Sequence, residues 1–465
     1  MPEDSRIAEK AFQLTGLEFE TPDVYAPNPS LVNGRFDFKP DHGGGVSQPA
    51  DPGQPCGCPL PDNVRKPSGC VTVFDNMLNQ WDAVREVKVL VARAQFFAWA
   101  FHRTAVTSGK GCWEINHKYH KKINVWVKYE SPTCNVKVME TAVGIWGYTW
   151  PYQPYIGQYG GPNFNNIGIG FNWTNSIDSK TFRNWAAATA NNSVFEFQNY
   201  SAANGLPSPP GNLKILITPW GNENKGSAPM LEKLGITSEV WSTTTAKILG
   251  GVFGIFGPVP PYLLFFPFGA VLTIAAPDIV MNINDANDVN ADDFRALFYH
   301  ELAHAQHAMQ VGPIYWSNNI GYVADHGGYG QANFLGAGSC AIIEMWGLYN
   351  GSWAAHLRYG VSHSSPGDPN VNTWGGRLER GTFSDGYIPD GWLLDLQDNN
   401  AINPVGITEN STVTDEVSGF TKAQIFATMT NDMFSPHQQR LMLQGTLPSG
   451  VTTSAYIALA ASYGL

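Results

Sequence analysis

Residues 296–312 read ALFYHELAHAQHAMQVG. His300 and His304 stand four apart, and on an α-helix residues i and i+4 share a face, so both imidazoles can reach one cation. Glu301, one position round, points along the rim of the same site. Leu297, Leu302 and Ala303 supply an apolar packing face, and Asn290 followed by Asp292 and Asp293 predicts the helix start. His307 falls on roughly the same face. With ~1.5 Å rise per residue it nevertheless lies about 10 Å along the axis from His300, while a zinc ion sits within ~2.1 Å of each nitrogen it binds. Packing or a supporting hydrogen bond is therefore its predicted role. Six residues after His304 stands Gln310 rather than a further histidine.

A third ligand has to come from elsewhere. Residues 336–351, GAGSCAIIEMWGLYNG, read as a glycine-rich turn, an N-cap at Ser339 and a short apolar helix with one charge, Glu344. A carboxylate alone among Ala, Ile, Met and Trp is costly to desolvate unless it meets something positive. Forty residues after His304, it has room to return through one loop. The expected metal set is His300, His304 and Glu344 around Zn2+, with one coordination position left open. An open position marks a catalytic rather than a structural site. Glu301 is then placed to act as general base towards a metal-activated water.

Elements compatible with such a site surround it. KTFRNWAAATANNSVFEFQNYSAANGL, from Lys180, has helical periodicity; NLKILITPW and PDIVMNIN read as buried strands; SGFTKAQIFATMTNDM and SPHQQRLMLQ read as later helices. We expect an α+β domain over 181–465 with a mainly helical C-terminal part. Ahead of it, over 66–135, SGCVTVFD, VREVKVLVAR, GKGCWEINHKY and KINVWVKYE alternate apolar and polar residues between turns, predicting a small all-β sandwich. In strand and turn order this segment resembles the transthyretin-like or carboxypeptidase-regulatory-like sandwiches. Residues 136–180 are rich in aromatics and Gly and read as a connecting segment packing its rings on the next domain, with sugar stacking as the second reading. Residues 1–65, with APNPSLVNGRFDFKP and CGCPLP, read as an extended leader or linker.

Composition narrows the function classes. The chain has 465 residues and a net charge of −11, and its 28 Lys and Arg are scattered along it, which argues against a nucleic-acid partner. Charged residues are 14 % of the chain, against roughly 25 % in an average globular protein, and there are 48 Gly and 32 Pro. That profile favours a secreted or cell-surface protein. The start MPEDSRIAEKAFQ has no basic n-region leading into an apolar core, so a signal segment is expected to be absent from this sequence. Cys56, Cys58, Cys70, Cys112 and Cys134 cluster early and can form two disulfides, with Cys340 alone. Residues 248–277 carry no charge, but Pro258, Pro260, Pro261 and Pro267 would break a spanning helix. We read that stretch as buried loops and a strand, with an exposed lip for surface or lipid contact as the alternative, and expect no transmembrane helix. The Asp- and Asn-rich run 282–293 lacks the spacing of a calcium loop and reads as capping and a solvated turn.

Taken together, HELAH with a later Glu on a separate helix resembles the gluzincin branch of zincin metallopeptidases. YHELAHAQHAMQVGPIYW, GYGQANFLGAGSCAIIEMWG and GYIPDGWLLDL are similar to a group of secreted bacterial zinc metallopeptidases, over about 180–440. The resemblance implies hydrolysis of protein or peptide substrates, with His300, His304 and Glu344 on zinc and Glu301 as base. For the oxyanion stabiliser it leaves Tyr387, His326 and Tyr329 as candidates. A non-catalytic scaffold presenting this domain to a surface partner or glycan is the alternative expectation.

Overall fold

The computed structural model describes residues 58–59, 63–94, 102–138, 152–177, 179–218, 224–235, 277–283, 289–326, 328–360, 387–398, 413 and 415–465. All but the last residue of the charge-free stretch 248–277 and nearly all of the 1–65 leader lie outside them, as does the middle of the Asp/Asn run.

Mixed β-sheets build the N-terminal part. The run SGCVTVFD is strand β1 (Ser68–Asp75) residue for residue, with Val71 and Val73 fully buried. On one side it pairs antiparallel with β2 (Gln80–Ala83) and β5 (Cys112–Glu114). On the other it runs parallel to β9 (Ile167–Phe171). A second, antiparallel sheet has the order β4 (His102–Val106), β3 (Lys88–Arg93), β6 (Ile123–Lys128), β8 (Tyr155–Tyr159). Val89, Val91, Val125 and Val127 turn to the interior at alternate positions.

A third sheet reaches from this region towards the expected site. Its order is β11 (Lys225–Ser227), β12 (Ile279–Asn282), β10 (Leu213–Thr218), β7 (Cys134–Val138). The last three strands are parallel, and β11 is antiparallel to β12. Strand β7 thus carries the end of the region read as a sandwich into a sheet shared with later strands. The aromatic segment read as a connection supplies β8 and β9. Among the described residues one large cluster of buried apolar side chains has members from Val71 to Tyr463, and Tyr322, Ala337 and Cys340 form a separate small one.

Helices cover the sheets and make up the C-terminal part. Helix α1 (Lys180–Ala203) starts at Ser179, whose side chain accepts the Phe182 N–H at 3.0 Å. It lies on β1, β7 and β9, and Asn191 and Asn192 donate from mid-helix to the carbonyls of Arg85 and Ala83. The predicted metal-bearing helix is α2 (Ala291–His326). Gly312 breaks it with φ 79°, a left-handed conformation that costs glycine nothing, and Pro313 begins the continuation. At its start the Ala291 N–H is taken by Asn76 Oδ1, while Asn290 Oδ1 accepts from Asn76.

Helix α3 (Ala337–Tyr359) is longer than the expected short helix and begins earlier: Gly336, at φ 99°, is its N-cap, and Ser339 lies inside it. Short helices α4 (Trp392–Asp395), α5 (Lys422–Ala427), α6 (Pro436–Gln444) and α7 (Thr453–Ser462) complete the chain. No helix among the described residues is long and apolar enough to cross a membrane. Cys58 is bonded to Cys112, and Cys70 is also disulfide-bonded, whereas Cys134 and Cys340 are buried thiols.

Candidate metal centre

Helices α2 and α3 lie side by side with the most extensive contact of any two elements, and the site is formed where they touch. Two glycines of α3 permit that approach. A β-carbon at Gly351 would stand 2.9 Å from the Ala296 carbonyl and 3.0 Å from His300 Cβ. One at Gly347 would stand 2.6 Å from His304 Cε1 and 2.8 Å from His300 Cε1. Real β-carbons do not approach that closely, so only glycine lets Glu344, one turn earlier on α3, meet the two imidazoles.

Glu344 Oε2 is 3.3 Å from His300 Nε2 and 3.4 Å from His304 Nε2. These three residues form a group whose ligand atoms all lie within 4.8 Å of one another and which could hold a metal ion. Donors about 2.0–2.1 Å from the centre of a tetrahedron stand roughly 3.3–3.4 Å apart, so the two measured separations fit such a centre. The donor set, two imidazoles and one carboxylate, also leaves one tetrahedral position open.

Burial makes the cluster electrostatically tense. The side chains of Glu301, His304, Glu344 and His300 are 3 %, 6 %, 9 % and 13 % exposed. Burial pushes the Glu301 carboxyl up to about 8, helped by the charge on Glu344 and only partly opposed by His300. Glu344 goes the other way: burial would raise it, yet His304 and His300 together hold it well below the usual carboxylate range. His300 is raised, because the Glu344 hydrogen bond and the charges of Glu301, Glu344 and Asp390 outweigh burial. His304 is lowered, chiefly by burial. Among the described residues neither Glu301 Oε2 nor His304 Nδ1 has a hydrogen-bond partner. A buried, polar, incompletely satisfied cluster is what a cation would complete.

Strand β11 passes directly over Glu301. A β-carbon at Gly226 would overlap the Glu301 carboxylate, standing 2.6 Å from its Cγ and 2.8 Å from its Cδ. Sequence reading missed this strand. Three residues, Lys-Gly-Ser, carry no alternation and no β-branched side chain, so nothing in them announces an edge strand. Gly347 and Gly351 do carry a faint signal, a small residue at helical spacing three and seven positions after Glu344.

The remaining candidates have the following surroundings. His307 stands outside the metal group, fully buried against Tyr315, Trp316 and Phe426. Its burial beside His304 holds the imidazole near 3, hence neutral. Gln310 donates to the carbonyls of Phe426 and Met429 at 2.8 and 2.9 Å, fastening the end of α5 beneath α2. Of the three oxyanion candidates, Tyr387 gives its hydroxyl proton to the Tyr329 carbonyl at 2.5 Å, with the Tyr322 hydroxyl 3.2 Å away. Tyr329 contributes that carbonyl to both hydroxyls. The exposed His326 ring lies against Tyr322 and Phe334.

One constellation absent from the sequence reading supports the metal helices from behind. Arg295, one and a half turns before His300, is 1 % exposed and donates to Asp75 at 3.1 Å, Asp82 at 3.0 Å and Glu196 at 3.0 Å. Arg358, near the end of α3, reaches the same three carboxylates. The cluster ties β1, β2 and α1 to both ligand-bearing helices. Compared with family models, curated proteins and solved structures, the chain matches none.

Proposed function

We propose that the chain is a zinc-dependent peptidase with Glu301 as general base and His300, His304 and Glu344 as the zinc ligands. The observation that carries this reading is the placement of Glu344 Oε2 at 3.3 and 3.4 Å from the two Nε2 atoms, with Glu301 alongside. Borderline-soft imidazole with a single carboxylate is a donor set suited to zinc. Bound there, zinc supplies Lewis acidity to a carbonyl and makes water at its open position a nucleophile near neutral pH.

The residues of the chain then have separable tasks. Glu301 takes the proton from the attacking water and passes it to the leaving amine. A carboxyl held at about 8 by burial returns protons readily, and a cation beside it lowers that value towards the working range of a base. Strand β11 is the edge of its sheet among the described residues. An extended peptide laid along it would make main-chain hydrogen bonds and bring a peptide bond towards the site. The disulfides at Cys58, Cys70 and Cys112 support an oxidising compartment and hence a secreted or surface-exposed enzyme.

The test is zinc content by mass spectrometry together with cleavage of a mixed peptide library. Wild type should hold about one zinc per chain and cleave. Glu301→Gln should keep the metal and lose roughly a hundredfold or more of the activity, and Glu344→Ala should lose both. Zinc-free wild type, or a Glu301→Gln variant as active as wild type, would overturn the reading.

A further inference from the structure

The chain is acidic as a whole, with a net charge of −11, yet between Arg93 and Lys122 it carries six Lys or Arg and a single Glu. Along the sequence these cations look dispersed. The antiparallel sheet gathers them at one end.

Strand β3 finishes at Arg93 where β4 begins, with Ala92 opposite His102 and Val91 opposite Arg103. The next backbone N–H, from Ala94, donates to the Lys122 carbonyl at 2.8 Å, so the start of β6 closes on the same end. The loop from β5 to β6 is folded down onto it: Tyr119 is buried and its hydroxyl donates to the Val91 carbonyl at 3.1 Å. His117 packs edge-on against Tyr119 at 4.9 Å. His117 is lowered by what burial it has and by the nearby charges of Arg103 and His120, a further sign of how closely the cations crowd. Arg93, His102, Arg103, His117, Lys118, His120, Lys121 and Lys122 are all exposed. Arg93, Arg103, Lys118, Lys121 and Lys122 have no carboxylate partner among the described residues.

A pole of unneutralised cations on an otherwise acidic protein directs that end towards anions and turns the rest of the molecule away. The placement favours a bilayer over a soluble polyanion: the cations sit at the ends of three strands and on the loop folded over them, an exposed cap that suits a flat anionic surface.

We propose that this pole docks the protein onto a bilayer surface bearing anionic lipid headgroups. Docking here leaves the metal centre, which lies on other elements, free to work on substrates at the membrane.

Flotation of the full-length protein with vesicles tests it. Vesicles of phosphatidylcholine with roughly one-third phosphatidylglycerol should carry the protein at low salt, vesicles of phosphatidylcholine alone should not, and high salt should release it. Each basic residue near such a surface contributes about a fivefold gain in partitioning, so R103E/K118E/K121E/K122E should lose at least about a hundredfold. Circular dichroism and zinc content should stay as in wild type. The milder K118A/K121A/K122A variant should fall between the two, which keeps the test decisive if the reversal variant misfolds. Failure of wild type to float with anionic vesicles overturns the proposal, as does equal flotation by a folded variant. Retention on heparin or single-stranded DNA without flotation overturns it in favour of a soluble polyanion.

Discussion

Gly226 on β11 lies so close to Glu301 on α2 that any side chain at 226 would occupy the space of the Glu301 carboxylate. The contact sets the distance between the sheet edge and the general base. Gly226→Ala should push the carboxylate aside or lift the strand. Either change moves the base off line, and a displacement of about 1 Å can cost on the order of a hundredfold in rate. We expect library cleavage to fall at least about tenfold while bound zinc stays near one per chain, because no metal ligand is touched. Unchanged cleavage would show that the strand yields without consequence and that the contact is incidental.

Gly347 makes the complementary prediction for the metal. In an ordinary helix interior, replacing Gly by Ala stabilises by up to about 1 kcal/mol. Here the added carbon would meet His304 Cε1 at 2.6 Å and His300 Cε1 at 2.8 Å. Gly347→Ala should therefore weaken zinc binding by about ten- to a hundredfold in a competition titration with a chelator, the range typical of disturbing a ligand's support. A variant that binds zinc like wild type and is merely more stable would show that the helices separate freely at this point.

How much of this was legible beforehand differs from residue to residue. The grouping of His300, His304 and Glu344 was readable because helical spacing and the isolation of one charge among apolar residues are local properties. Helix α1 and strands β1, β10 and β12 were readable for the same reason. The start of α3 was misplaced at Ser339 because serine is the commoner cap, whereas Gly336 begins the helix from a left-handed conformation that composition does not reveal. The pairing of β7 with β10 and of β1 with β9 joins residues far apart in the chain, which periodicity cannot foresee. The scattered appearance of Lys and Arg had the same cause: only the sheet brings Arg93, Arg103 and Lys122 together.

Arg295 tests how far the buried charge cluster supports the site. Its guanidinium serves Asp75, Asp82 and Glu196 at once. Arg358 alone would then face three carboxylates. Removing one partner of a buried ion pair typically costs about 3–5 kcal/mol, so Arg295→Met should lower the unfolding free energy by that order. Replacing Asp75 as well, in Arg295→Met/Asp75→Asn, should restore part of the loss, since a stranded carboxylate is the main source of the penalty. Chemical denaturation of the four proteins of this cycle measures the coupling, and strictly additive losses would show that the pair acts independently.

Lys422 supplies a pH dependence with an unusual sign. Its side chain is buried over the rings of Tyr349 and Trp353, 4.5 and 4.0 Å from their centres, and bonds Tyr349 Oη and Gln397 Oε1, with Asp398 nearby. Burial lowers the ammonium to about 7 from an ordinary 10.5, and Asp398 only partly opposes the shift. A base that binds its proton less tightly when folded destabilises the protein as pH falls. The penalty is absent above about 10.5, grows as pH drops towards 7 and is constant below that, reaching the order of a few kcal/mol. Lys422→Met removes the titration while keeping most of the buried volume. Its stability relative to wild type should therefore improve steadily from pH 10 down to pH 7 and level off below. The hydrogen bonds lost with the amine add a constant offset that does not change this slope. Denaturant titrations of both proteins across that range provide the check, and parallel stability profiles would mean that Lys422 keeps its proton throughout, held by Asp398 and the two rings.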